Sequence, residues 1–425
     1  MPAAAQWTGV HEQFYLPASH NWAFRDRFGG ADRLFNAFDF GHAILYETLL
    51  TKPAAPSSLL ESEIYDRLTT RVLVKPPRVP LEESAIEIAY AKLVPEAKTM
   101  FDWAHILHRQ VYDVWADERI EPDQKDARIA ELLRYYRSRS DIAFSMKPKN
   151  MELMEGQDYS LAFRRTYPKF NGLIWAYHWL QVGLYEPLVT GATADQRKTG
   201  VNATVARFWQ MLEASPSNMP RLMPMTAAIA PAFAVRYPEL AIIFDNLHSM
   251  HDVVSDILAS ERVPRERKRE EILRAAARYR DDTSFLMSVA EWRAMSIGMG
   301  IENMGGPAIG FLAPLPEGTV ERGAAMAGAH AGHAPARTDT AAARPPQAPS
   351  ATADLEARLH DLLLHMLEDD TVRRRIVADT TLHRLVLEMI ERVPAQHREH
   401  LRTLLHGHDE PARPDSIEEQ LLRRS

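Results

Sequence analysis

Histidine and aspartate recur at fixed spacing in two stretches of the chain. Residues 101–108 read Phe-Asp-Trp-Ala-His-Ile-Leu-His, and residues 244–251 read Phe-Asp-Asn-Leu-His-Ser-Met-His. Both follow the pattern F-D-x-x-H-x-x-H, and its first half occurs a third time at residues 38–42 as Phe-Asp-Phe-Gly-His. Imidazole and carboxylate groups are the ligands that iron, manganese, zinc and copper(II) take in proteins. The pattern therefore predicts a metal centre.

Helices are the elements expected to position these side chains. Residues three and four apart share one face of a helix, so each aspartate can point the same way as the histidines that follow it. Two such helices packed together bring four imidazoles into one core, as in the metal sites of helical bundles. The ligands predicted from the two full copies of the pattern are Asp102, His105, His108, Asp245, His248, His251 and Asp252.

Two more histidines lie on apolar helical patterns. His42 precedes Glu47 on a predicted helix that ends before a proline, and His178 lies on the pattern of residues 171–186, which ends at Glu186 before Pro187. If both histidines join the other four, six imidazoles suit a paired copper site. If the two glutamates join instead, the mixed ligand set suits two iron or two manganese ions.

Tyr112 and Tyr185 lie close in sequence to predicted ligands and are candidates to supply a proton or an electron. Together these residues predict a metal-dependent oxidoreductase with a binuclear non-haem centre that uses dioxygen or peroxide on a small molecule. Iron is the expected metal, with manganese or copper as alternatives. A b-type haem held by two histidines from facing helices is a further alternative.

The adjacent His251 and Asp252 resemble the HD dyad of helical metal-dependent phosphohydrolases. In that family one more histidine upstream and one aspartate downstream complete the site, and a glycine often follows the pair. Val253 stands here instead of that glycine. The residues that match the two remaining roles are His178 or His105 upstream and Asp281 or Asp282 downstream. The resemblance implies phosphohydrolase activity as an alternative, and a non-catalytic helical scaffold or adaptor is another.

Composition limits the chemistry. The chain has 425 residues, 46% of them apolar, which is enough for a large buried core. It contains no cysteine, so disulfides, thiolate zinc sites and cysteine nucleophiles are excluded. The formal net charge of -7 argues against a dedicated nucleic-acid binder, which usually carries a basic stripe.

The chain is expected to be all-α, with a large bundle-type domain that contains an internal duplication. This metal-binding domain is predicted to span residues 1–322, and residues 323–351 are expected to form a disordered linker rich in Ala, Gly and Pro. A small helical module at 352–408, with a possible protein partner, and a charged tail at 409–425 are predicted to follow. Residues 71–75 could form an isolated strand. No membrane-spanning segment is expected, and the predicted location is cytoplasmic.

Overall fold

The computed structural model describes residues 14–52, 57–80, 82–213 and 218–308, together with part of the C-terminal region. In that region it describes residues 363, 367, 373, 376–378, 380–391, 393 and 395–406. The chain divides into two compact units, Met1–Ala334 and Pro335–Ser425.

The predicted all-α fold is confirmed, because the described residues contain helices and only one isolated β-bridge, between Lys149 and Leu286. The helices of the first unit are α1 Ala23–Arg27, α2 Gly29–Thr51, α3 Ser57–Arg67, α4 Ile88–Leu93, α5 Pro95–Ala116, α6 Pro122–Arg137, α7 Glu152–Glu155, α8 Ala162–Thr166, α9 Pro168–Gly183, α10 Tyr185–Thr190, α11 Ala194–Glu213, α12 Thr226–Ile229, α13 Pro231–Arg236, α14 Pro238–Ala259, α15 Lys268–Arg280 and α16 Val289–Gly298. Those of the second unit are α17 Thr380–Ile390 and α18 Ala395–His406.

Proline begins several of these helices. Pro95, Pro122, Pro168 and Pro238 occupy the first turns of α5, α6, α9 and α14. The fixed φ of proline suits this position, where the missing N–H would have had no partner within the helix. Pro187 was expected to end the helix that carries His178. The break instead lies at Leu184, and Pro187 is the third residue of α10.

The strand suggested for residues 71–75 is absent. Residues Leu68–Val72 form one turn of π-helix at the end of α3. The apolar run that suggested a strand is short, and periodicity alone does not separate a short buried strand from a helical turn.

Four long helices enclose the core of the first unit. α2 packs on α9 and α14, and α5 packs on α14. Almost the whole surface of α9 and α14 is buried, including polar side chains on α14. Buried polar groups are stable only when they are hydrogen-bonded, paired or bound to a ligand. The polar residues of these helices therefore need partners inside the protein.

The same backbone contact occurs at the end of α5 and at the end of α14. Asp113 on α5 accepts hydrogen bonds from the backbone N–H groups of Trp22 and Phe24, just before and within α1. Asp256 on α14 accepts them from the N–H groups of Leu161 and Phe163 at α8. The first donor of each pair has a positive φ, 75° for Trp22 and 67° for Leu161.

Two lysines are also placed alike. The ammonium of Lys125, twelve residues beyond Asp113, donates to the carbonyl oxygens of Val114, Trp115 and Asp117. The ammonium of Lys268, twelve residues beyond Asp256, donates to three carbonyl oxygens at the end of α14. Matching contacts of this kind are expected from a duplicated unit, and the internal duplication stays a prediction.

The second unit has its own small core. Leu363, Leu367, Ile376 and residues of α17 and α18 pack together there. The predicted linker at 323–351 and the predicted tail at 409–425 lie outside the described residues. Within the described part of the chain, no helix is both long enough and apolar enough to cross a membrane.

Candidate metal centre

Six histidines from four helices form one contiguous group in the core of the first unit. They are His42 on α2, His105 and His108 on α5, His178 on α9, and His248 and His251 on α14. Their exposed fractions lie between 0 and 4%. Each ring centroid lies within 5.9 Å of at least one other ring of the group. The five histidines of the repeated pattern and His178 of the apolar segment therefore lie together, buried in the core.

His42, His178 and His251 form the tightest part of this group, the triad. One ring nitrogen of each lies within 4.8 Å of those of the other two. The ring centroids of His42 and His251 are 4.0 Å apart, and Nε2 of His178 lies 3.4 Å from Nδ1 of His251. A single metal ion placed between three imidazole nitrogens at this spacing can bind all three of them after small side-chain movements.

Several ring nitrogens of the group have no hydrogen-bond partner among the described residues. They are both nitrogens of His42, both of His248, Nε2 of His108 and Nδ1 of His178. Each buried polar atom without a partner costs about 1–3 kcal/mol of folding free energy. A metal ion bound by the triad would satisfy some of these atoms.

Burial determines the protonation state of these rings. It lowers the pKa of His42, His178 and His251 well below the usual value, and the neighbouring imidazoles lower it further. Burial lowers the pKa of His248 to about 3. The rings are therefore neutral at pH 7, and the neutral imidazole is the form that binds metals.

His108 and His248 extend the group on one side of the triad. The ring of His248 stacks on His178, with centroids 4.2 Å apart. Nδ1 of His108 lies 2.6 Å from the hydroxyl of Tyr185, and the ring of His108 stacks on Phe244 at 3.8 Å.

Tyr112 and Tyr185 lie beside the group, with their tilted rings in contact at 4.6 Å, centroid to centroid. The hydroxyl of Tyr185 contacts His108, and the hydroxyl of Tyr112 donates to the backbone carbonyl of Gln181. Burial raises the pKa of both phenols well above the usual value, so both are protonated at pH 7. Of the two, Tyr185 alone bonds a ring nitrogen of the group in the described structure.

His105 belongs to a second set of possible ligands, the acidic group. Its ring, Asp39 and Glu83 offer one ligand atom each within 4.8 Å of one another. Oδ1 of Asp39 is 3.7 Å from Nδ1 of His105, and Oδ2 pairs with Arg109 at 2.5 Å. Burial raises the pKa of Asp39 to about 6, against the lowering effect of Arg109.

Asp39 and Glu83 are not among the ligands predicted from the sequence. Asp39 stands in the third, incomplete copy of the motif, at the position that Asp102 and Asp245 hold in the full copies. This shared position in the motif was a signal from which Asp39 could have been predicted. Glu83 lies in a 3₁₀ turn before α4, where no motif marks it.

The carboxylates predicted from the full copies of the motif bond to other groups. Both oxygens of Asp102 accept from Lys98 at 2.8 Å. Asp245 accepts from the backbone and hydroxyl of Thr226 and from the indole of Trp292. Asp252 accepts from the indole of Trp175. These bonds give their role as ligands no support, and that role stays a prediction.

Glu47 and Glu186 both bond to the first turns of short helices. Glu47 accepts from the N–H groups of Ala89 and Tyr90 at the start of α4. Glu186 accepts in the same way from Ala232 and Phe233 at the start of α13. Such helix-capping bonds explain both glutamates without a metal.

The aspartates that the HD resemblance requires downstream are also bonded elsewhere. Asp281 accepts from Ser284 and pairs with Lys149 at 3.2 Å. Asp282 accepts from the hydroxyl of Ser145. With Asp252 bonded to Trp175, the carboxylates of that arrangement have no observed contact with the triad among the described residues.

Comparison of the chain with protein-family models, with curated proteins and with solved structures finds no match. The function of this protein is therefore inferred from the geometry of its own side chains.

Proposed function

We propose that this protein is a metal-dependent oxidoreductase whose metal ion is held by His42, His178 and His251. The observation that carries the proposal is the convergence of three buried, neutral imidazoles within 4.8 Å, in which both nitrogens of His42 and Nδ1 of His178 have no hydrogen-bond partner among the described residues. Without a bound ligand, these nitrogens would lack hydrogen bonds in the folded state, and each would lower the free energy of unfolding.

The ligand set favours particular metals. Three imidazoles without a carboxylate suit zinc, copper and iron, whereas manganese, magnesium and calcium prefer oxygen ligands. Iron and copper exchange electrons with dioxygen or peroxide, and this is the chemistry that the metal would supply when bound. We therefore propose iron or copper for the triad.

Tyr185 supports a redox role over a purely structural one. Its phenol is protonated and hydrogen-bonded to Nδ1 of His108, and its ring centroid lies 4.6 Å from that of Tyr112. The same hydroxyl donates to the backbone carbonyl oxygen of His108 at 3.2 Å. A phenol that passes its proton to a neighbouring imidazole is able to give up an electron at the same time. When Nδ1 of His108 carries no proton, it is the atom that accepts the proton of Tyr185.

Metal analysis tests the proposal. Protein produced in medium supplemented with iron and copper should contain about one of these ions per chain in the triad. The substitutions His42→Asn, His178→Asn and His251→Asn should each remove about one ion per chain, which for copper is a fall in metal content of at least tenfold. His20→Asn is the matched control, because His20 is equally buried and belongs to neither set of ligands. It should leave the metal content unchanged.

Spectroscopy then separates redox from structural roles. Reduction with dithionite should change the optical or electron paramagnetic resonance spectrum of the bound metal, and exposure to air should restore the original spectrum. Protein that holds only zinc would refute the oxidoreductase while keeping the site. A Soret band would show that the histidines bind a haem and not a metal ion held by the triad alone. Metal-free protein from supplemented medium, or full metal content in all three variants, would overturn the metal centre and favour a scaffold.

A further inference from the structure

The acidic group lies beside the triad but has different ligand chemistry. The ring of His105 is 5.4 Å, centroid to centroid, from the ring of His251. Two carboxylates and one imidazole, from Asp39, Glu83 and His105, come within 4.8 Å of one another. Oxygen-rich sets with one imidazole suit Mn²⁺ or Fe²⁺ better than they suit copper.

Asp39 is placed to bind a cation. It is 97% buried, since its exposed fraction is 3%. Its Oδ2 pairs with Arg109, but its Oδ1 accepts no hydrogen bond from any described residue and faces the His105 ring at 3.7 Å. A buried carboxylate oxygen normally accepts one or two hydrogen bonds, so this atom has an unused coordination position.

The charges around this position do not balance. Among the described residues, the network contains the four carboxylates of Asp39, Glu83, Glu87 and Asp102, and two cations, Lys98 and Arg109, pair with them. Lys98 approaches Glu83 at 3.8 Å, Glu87 at 3.9 Å and Asp102 at 2.8 Å, while Arg109 pairs with Asp39.

A fifth carboxylate, Asp32, has a cation of its own. It pairs with Arg25 at 3.2 Å and lies 3.5 Å from Arg109. With all side chains charged, the network therefore carries two more negative than positive charges. Uncompensated charge is costly where most of the side chains are removed from water, as in this mostly buried network, and one divalent cation would compensate it.

We propose that Asp39, Glu83 and His105 form a second cation site, for Mn²⁺ or Fe²⁺, next to the triad. The site does not depend on the proposed function, because it shares no ligand with the triad. If both sites are filled, the centre contains two metal ions with unlike ligand sets, one all-imidazole and one rich in carboxylate.

Manganese binding tests this site by itself. Metal-free protein is titrated with Mn²⁺, and the free ion is followed by its electron paramagnetic resonance signal. Wild type should bind Mn²⁺, and Glu83→Gln and Asp39→Asn should each weaken binding at least tenfold. Glu83 is partly exposed and in a short turn, so its substitution is the milder of the two for folding. Asp117→Asn is the matched control at a buried aspartate that pairs with Arg119 outside the group, and it should keep wild-type affinity.

A triad variant separates the two proposals. In His42→Asn the triad is impaired, and Mn²⁺ should still bind and raise the melting temperature as it does in wild type. The acidic site is overturned if wild type binds no Mn²⁺, which would mean that protons balance the excess charge. It is also overturned if Glu83→Gln binds as tightly as wild type, or if His42→Asn alone abolishes binding. Failure of the triad to hold iron or copper would leave the result of this titration unaffected.

Discussion

At the scale of single residues, the hydrogen bonds of each polar side chain separate ligands from structural groups. The carboxylates that the motif suggested bond to lysine, tryptophan or backbone N–H groups. The ring nitrogens of His42 and His248 bond to no described group. Because a buried polar atom needs a partner, the unsatisfied imidazoles are better candidates than the satisfied carboxylates.

Tyr185 gives a prediction at this scale. Tyr185→Phe removes the hydroxyl that bonds His108 and keeps the ring that contacts Tyr112. We expect unchanged metal content, and reoxidation of the reduced metal by dioxygen about 100-fold slower, because a positioned proton donor contributes at least that much. Stopped-flow spectroscopy measures the rate.

The control for this experiment is Tyr177→Phe. Tyr177 is fully buried, and its hydroxyl has no hydrogen-bond partner among the described residues. Loss of this hydroxyl should leave the reoxidation rate at the wild-type value. Equal rates in Tyr185→Phe and wild type would exclude Tyr185 from the reaction.

At the scale of elements, the long helices are held by carboxylates at equivalent positions. Asp113 and Asp256 connect α5 and α14 to the chain that enters α1 and α8. Each binds two N–H groups around a residue with positive φ, a conformation that side chains other than glycine rarely adopt. The hydrogen bonds to each carboxylate stabilise the backbone at the start of α1 or α8, and thereby the orientation of that helix.

Substitution of these two aspartates gives paired predictions. An asparagine offers one acceptor oxygen where the carboxylate offers two, so one N–H group of each pair loses its partner. We expect Asp113→Asn and Asp256→Asn each to lower the free energy of unfolding by about 1–3 kcal/mol. Asp126→Asn, at an exposed ion pair with Arg236, should cost less than about 1 kcal/mol. Urea denaturation measures all three.

The same aspartates predict a pH dependence. Burial raises the pKa of both carboxyls to about 7, although their backbone hydrogen bonds lower it. Between pH 4 and 7 the folded chain therefore holds protons that the unfolded chain releases, given an unfolded pKa of about 3.9. This contribution to stability is complete below about pH 4 and is lost as the pH rises to about 7. The stability difference between wild type and Asp113→Asn should accordingly be larger at pH 5 than at pH 8, and a constant difference would contradict the raised pKa.

At the scale of the whole molecule, the chain has two units with separate cores. The core of the first unit uses residues up to Ala308, and the core of the second uses residues from Leu363 onward. Since apolar burial is the main stabilising term, a unit that contains its own complete core is expected to fold without the other.

Truncation tests this independence. A chain ending at Ala334 should keep the melting temperature and the metal content of the full-length protein. Calorimetry and metal analysis measure these two properties. Aggregation of the shortened chain, or loss of its metal, would show that the second unit supports the first. A second, shorter chain of residues 1–308 contains every core residue described for the first unit and should behave in the same way.

Local spacing in the sequence was sufficient to identify the helical fold and the six histidines. A residue's neighbours three and four positions away share its helix face in any protein, so the pairs His105 and His108, and His248 and His251, were determined before packing. The structure places these pairs on α5 Pro95–Ala116 and α14 Pro238–Ala259, so the helical state predicted from the spacing is confirmed there. It failed at Pro187, where a break and a new helix follow one another closely.

Only the tertiary structure decided which of these side chains meet. The triad joins α2, α9 and α14, and the acidic group joins α2, α5 and a turn before α4, so neither is encoded by spacing within one helix. Partners from distant segments also decided that Asp245 and Asp252 are bonded elsewhere and that Asp39 keeps one oxygen without a hydrogen bond, whereas Asp102 pairs with Lys98 one turn away in its own helix. Contacts between distant segments depend on how whole helix faces pack, and that packing is a property of the complete chain.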